Sequence, residues 1–141
     1  MHFNSGVYIH AVLPKDTGTE FKLLDQNAVP TPMRLSYFRQ FSRYTPDQLT
    51  DPDFASRFVL YRRTDAEDFT LPGRFMSELK KLMQYTPGYI AVSVCGSRAD
   101  IFIRGRFLAM PVSVRKAPTE EMLNFDPFPE LKYIVDLLSA L

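Results

Sequence analysis

From Gly6 to Leu13 the chain alternates: Val7, Ile9, Ala11 and Leu13 share one face, while Tyr8, His10 and Val12 take the other. A period of two in β-branched and aromatic residues predicts a strand. Pro14 to Thr19 is rich in turn formers. Glu20 to Leu24 then sets Phe21 and Leu23 on one side, which predicts a second strand as hairpin partner of the first. Asp25 to Pro32, with Asn27, Pro30 and Pro32, reads as a loop. Met33 to Phe41 fits both periods. The alternation of Met33, Leu35 and Tyr37 favours a strand over the helical spacing of Leu35, Phe38 and Phe41. Tyr44 to Pro52 reads as a polar connector. Asp51-Pro52-Asp53-Phe54 is an acidic, proline-bearing opening of a short helix, followed by a strand at Phe58 to Arg62.

The clearest helix runs from Pro72 to Tyr85. Phe75, Met76, Leu79, Leu82 and Met83 fall on one stripe, Glu78, Lys80, Lys81 and Gln84 lie away from it, and Thr86-Pro87-Gly88 ends it. Tyr89 to Cys95 and Arg98 to Arg104 flank Gly96-Ser97, a two-residue loop with glycine first, as a type II′ turn requires. Folding there pairs Ile90 with Ile103, Val92 with Ile101 and Val94 with Ala99, all apolar and on one face. Ser93 with Asp100 and Tyr89 with Arg104 lie on the other. A slip of one residue would exchange the faces of one strand, so the register is specified. Phe107 to Val114 suits a further edge strand interrupted by Pro111, and Lys116 to Pro127 a loop with a helical turn near Glu120 to Leu123. From Pro129 to the end Leu131, Ile134, Val135, Leu138 and Leu141 have helical spacing. Hairpin-like strands with a few amphipathic helices and no βαβ alternation predict one α+β domain over residues 1–141. Its sheet is mostly antiparallel, with the two main helices on one face.

The length of 141 residues suits a single domain, and with 45% hydrophobic and 13% aromatic residues a core needs no covalent staple. Seventeen basic residues against 16 acidic leave a net charge of +1, which disfavours a dedicated nucleic-acid binder. Cys95 stands alone, so no intramolecular disulfide is expected and a reducing compartment fits. Neither a signal peptide nor an apolar run of membrane-spanning length is visible, which predicts a soluble, cytoplasmic chain.

Candidate chemistry is sparse. His2 and His10 are not spaced as a ligand pair and Cys95 has no cysteine or histidine near it, so no zinc site is expected. Asp65, Glu67 and Asp68 form one tight acidic cluster, the type of oxygen donor that Mg²⁺ and Ca²⁺ take. The plainer reading is a solvated lead-in to the Pro72 helix, where negative charge complements the helix dipole. Cys95 beside Gly96, with Arg98 opposite, suits either a reactive thiolate or a small strand residue, and the second is preferred. No nucleophile elbow and no glycine-rich phosphate loop occurs. Arg62, Arg63, Arg98, Arg104, Arg106, Arg115 and Lys116, with Tyr89 and Phe102, offer a weak case for base stacking, outweighed by their reading as solvated sheet-edge charges.

Three stretches together carry a family likeness. They are Phe3-x-x-Gly6-Val7-Tyr8-Ile9 into Ala11-Val12-Leu13-Pro14-Lys15; Asp51-Pro52-Asp53-Phe54 through Phe58-Val59-Leu60-Tyr61, Asp65 and Glu67 to Thr70-Leu71-Pro72-x-x-Phe75-Met76-x-x-Leu79; and Ile90 to Val94, Gly96 and Ile101-Phe102-Ile103. The arrangement resembles the bacterial domain of unknown function 3137 family, from Phe3 to about Ile103. The resemblance implies a domain without established activity that follows a transmembrane hairpin, and this sequence departs from the pattern in lacking the hairpin. The expectation is a non-catalytic protein-interaction domain without cofactor or metal, at the inner face of a membrane. Its partner surface is Tyr89, Phe102 and Arg104, because Tyr and Arg are favoured at interface hot spots. The alternatives are a divalent-cation-dependent enzyme using Asp65, Glu67 and Asp68, or a weak nucleic-acid-binding module. The sequence names neither partner nor oligomeric state.

Overall fold

A computed structural model describes residues 6–26, 44–47, 49–65, 70–105 and 126–141. Its elements are β1 (Gly6–Val12), β2 (Glu20–Asp25), β3 (Tyr44–Asp47), α1 (Pro52–Ala55), β4 (Phe58–Arg63), α2 (Gly73–Tyr85), β5 (Ile90–Cys95), β6 (Arg98–Arg104) and α3 (Phe128–Ser139). The strands form one antiparallel sheet in the order β1-β6-β5-β2-β4-β3. The architecture is α+β, as the pattern predicts.

The β5–β6 hairpin has the predicted register, with Ile90 opposite Ile103, Val92 opposite Ile101 and Val94 opposite Ala99. Gly96 at its tip has φ 61°, the left-handed conformation that glycine adopts without steric cost. The predicted β1–β2 hairpin is not formed. β1 pairs with β6, and β2 pairs with β5 and β4. The Pro14–Thr19 connector instead crosses the end of the β5–β6 hairpin and binds its backbone. Leu13 N donates to Ser97 O at 2.6 Å, Thr17 N to Gly96 O at 3.1 Å, and Gly96 N to Thr19 O at 2.9 Å. The Thr17 hydroxyl adds a bond of 2.8 Å to Gly96 O. Three strand spacings amount to about 14 Å, within the reach of six extended residues at ~3.3 Å each.

Phe21, Leu23, Leu60, Ile90, Val92, Val94, Ala99, Ile101 and Ile103 all point to one face of the sheet. There they join Phe75, Leu79 and Leu82 of α2 and Ile134 and Leu137 of α3 in a single buried cluster. Both main helices therefore lie on that face. The α2 stripe is as predicted, its flanking Met76 and Met83 partly buried. In α3 the buried side is rotated from the predicted stripe: Ile134 and Leu137 are buried, whereas Leu131 and Val135 are exposed. Apolar spacing marked two adjoining stripes, and packing against the sheet covers only one.

Asp51 caps α1, its Oδ1 accepting from Asp53 N at 2.9 Å, and Pro52 follows in the first turn, where a missing N–H leaves no bond unmade. Lys80 of α2 reaches Asp51 at 3.2 Å and lies over the Phe54 ring, which fixes α1 against α2. Tyr44 to Pro52, read as connector, contains the short strand β3. Pro46 sits within it, as an edge position permits. The expected strands at Met33 to Phe41 and Phe107 to Val114 and the turn near Glu120 to Leu123 lie outside the described residues.

A second junction joins the helix layer to the sheet. Arg57 Nε donates to the buried Asp25 Oδ2 at 3.0 Å, and Arg57 Nη2 to Gly88 O at 2.9 Å. Gly88 itself runs so close to β6 that an added Cβ would lie 1.7 Å from Arg104 O. Arg57→Met is expected to destabilise by about 3 kcal/mol, because it takes the guanidinium away from the buried Asp25 carboxylate. Urea unfolding would measure that loss. Gly88→Ala is expected to lower the melting temperature sharply. Gly73→Ala meets nothing within 4 Å and is expected to leave it unchanged or raise it, the helical gain being about 1 kcal/mol or less.

Candidate functional site

The residues between the core positions make the face away from both main helices, open among the described residues although Tyr61 on it is buried. The strand registers set them in rows: Tyr8, Phe102, Ala91, Leu24 and Val59; then His10, Asp100, Ser93, Lys22 and Tyr61; then Val12, Arg98, Cys95, Glu20, Arg63 and Tyr44. Polar partners meet across strands. Asp100 Oδ1 takes a bond from the Tyr8 hydroxyl at 2.5 Å and lies 2.7 Å from His10 Nδ1. The Tyr8 bond, and then the His10 bond, hold the Asp100 carboxyl below its ordinary range. The same hydrogen bond raises the Tyr8 phenol. Lys22 Nζ donates to Ser93 Oγ at 3.0 Å and lies 5.4 Å from the Tyr44 ring centroid. Tyr44 donates to Glu20, which also accepts from Arg63 Nη1 at 3.2 Å. Burial first, and the Glu20 bond second, push the Tyr44 phenol up to about 12.

Tyr89 and Arg104, two of the three residues expected on the partner surface, are brought together at one end of this face. Arg104 N donates to Tyr89 O at 2.9 Å, and the Arg104 guanidinium lies 4.9 Å from the Tyr89 ring centroid. Among the described residues Arg104 meets no carboxylate. Phe102, two residues back on β6, turns toward β1: a Cβ on Gly6 would come within 2.7 Å of its ring. It is a neighbour of the corner and not part of the stack. Beside Arg104 opens a groove of about 680 Å³, lined by Tyr85, Thr86, Pro87, Gly88, Tyr89 and Gly105. Tyr85 is half-exposed and stacks on Tyr133 of α3 at 4.7 Å between centroids, and its phenol is raised by burial and by a hydrogen bond with Glu130.

The other candidates are dispersed. Asp65 receives two bonds from Arg63, at 2.9 and 2.7 Å, while Glu67 and Asp68 lie outside the described residues. Among the described residues no three His, Cys, Asp or Glu side chains gather as metal ligands would. Cys95 is exposed and pairs with Arg98 across the hairpin. Arg62 and Arg63 face opposite sides, Arg62 toward Asp47 at 3.3 Å and Arg63 toward Glu20 and Asp65. Arg106, Arg115 and Lys116 lie outside the described residues. The pattern along the chain did not reveal the Tyr8–Asp100–His10 and Lys22–Ser93 groupings. Their signal was the parity of β1 and β2 against the hairpin, legible only once β1 is placed beside β6.

The chain matches no family model, no curated protein and no solved structure.

Tyr8→Phe is expected to let the Asp100 titration rise toward its ordinary value, followed by carboxyl-carbon NMR. Because the folded carboxyl lies low, its contribution to stability is present above that ordinary value and fades as pH falls through the folded one. Tyr44 behaves oppositely. Its raised phenol contributes below pH 10 and loses that contribution as pH climbs to about 12. Phenolate absorbance should show a late-ionising tyrosine that Tyr44→Phe removes.

Proposed function

We propose that this domain is a non-catalytic protein-binding module whose partner docks at the Tyr89–Arg104 corner, with Phe102 at its margin. The observation that carries this reading is the Arg104 guanidinium, stacked on Tyr89 at the rim of the groove and free of any carboxylate among the described residues. A stacked guanidinium has already lost much of its rotamer freedom, so less is lost on binding, and its fork of donors suits a carboxylate. Tyr85, Tyr89 and Pro87 offer rigid apolar surface alongside. The partner that fits is an extended segment with an acidic side chain or a terminal carboxylate beside an apolar one. The likeness to the domain of unknown function 3137 family supports a cytoplasmic setting at the inner face of a membrane. Among the described residues no helix is long and apolar enough to cross one.

The test is capture by the tagged chain from a mild-detergent lysate, then titration of the purified partner. Tyr89→Ala and Arg104→Glu are each expected to weaken binding tenfold or more, the loss that ~1.4 kcal/mol gives. A partner held equally by wild type and both variants, or recovery of the domain alone, would overturn the reading.

A further inference from the structure

The two edges of the sheet are built differently. β3 is four residues long and carries Pro46, which has no N–H to give a further strand. β1 is seven residues long, Gly-Val-Tyr-Ile-His-Ala-Val, with no proline and no Lys, Arg, Asp or Glu, and it pairs with β6 without a break. Among the described residues it has none of the devices that keep an edge strand from pairing. Leu13 N points to Ser97 O, so by alternation the odd-numbered residues bond to β6. Gly6, Tyr8, His10 and Val12 therefore direct their N–H and C=O groups outward. Tyr8 and Val12 are 66% and 73% exposed.

A second observation lies on the same side of the molecule. Along α3, Phe128, Leu131 and Val135 form an exposed stripe at i, i+3 and i+7, with Phe128 at 67% and Val135 at 58%. This stripe adjoins β1: Ala11, Val12 and Leu13 share with Val135, Leu138 and Leu141 the walls of a groove of about 330 Å³. An unprotected strand edge and an apolar helix stripe thus border one another.

We propose that a second copy of this chain covers both, through a two-fold axis normal to the sheet that pairs β1 with β1 in antiparallel register. Such an axis keeps the helices of both copies on one side, so that the α3 stripes meet. Centred on Ile9, it sets Ile9 against Ile9 and Tyr8 of one copy against His10 of the other, whose outward N–H and C=O groups then bond in pairs. The edge brings no charged side chain against its like. Lys132 and Asp136, an ion pair at 3.8 Å on α3, stand beside the stripe with opposite charges. An antiparallel helix pair offers each to its opposite.

Sedimentation equilibrium of the whole chain across a concentration series tests this. Wild type is expected at twice 16.3 kDa. Val12→Pro, which removes one outward N–H, and Val135→Lys, on the exposed stripe, are each expected to return the mass to 16.3 kDa with unchanged circular dichroism. Val135→Lys alters only an exposed position, so it remains decisive if the proline variant does not fold. A wild-type monomer at every concentration overturns the proposal and leaves the edge to a strand of another protein. A dimer that survives Val135→Lys, or one that Val135→Lys breaks but a folded Val12→Pro does not, overturns it also.

Discussion

The backbone of the Gly96–Ser97 tip holds the sheet in its order. Gly96 both donates and accepts, to Thr19 and Thr17, while Ser97 accepts from Leu13. These bonds clamp the Pro14–Thr19 connector across the hairpin end and send β1 down one side and β2 down the other. Asp16 completes the clamp: its Oδ1 accepts from Gly18 N at 2.7 Å, and Gly18 takes φ 68°. Once the connector is seated, the alternation of β1 and β2 is locked to that of β5 and β6. The core positions Phe21, Leu23, Val92, Val94, Ile101 and Ile103 then fall beneath the helices and the residues between them on the other face.

At the other end of the sheet the close approach of Gly88 to Arg104 does comparable work. It lets the link between α2 and β5 run against the end of β6, and Arg57 holds it there through Gly88 O while neutralising the buried Asp25. The consequence is functional geometry. Tyr85 at the end of α2, Pro87 in the link and Tyr89 before β5 converge on Arg104, so the groove is built from the rigid ends of three elements. A cation set on such a frame is held in place by the fold itself.

The open face illustrates how a sheet assembles chemistry from distant sequence. Tyr8 and His10 lie 92 and 90 residues from the Asp100 they share, and Lys22 lies 71 from Ser93. None of these distances leaves a trace in local spacing. Each follows from one decision, which strand lies beside which.

By itself the sequence determined the elements that local periodicity specifies: the α2 stripe, the β5–β6 register, the Asp51–Pro52 start of α1, and the pairing of Tyr89 with Arg104, which comes with that register. In these places the interacting residues are close along the chain or joined by a turn, so propensity, alternation and turn chemistry agree. Tertiary structure alone decided that β1 and β2 part around a hairpin instead of forming one, because a polar six-residue connector suits either a loop or a clamp until its partner carbonyls are placed. It also decided which of two adjoining apolar stripes of α3 is buried and that Pro46 lies in an edge strand. It turned Phe102 toward Gly6 of β1. Burial depends on what stands opposite, and that neighbour is fixed by pairing over long sequence separation, which no local pattern encodes.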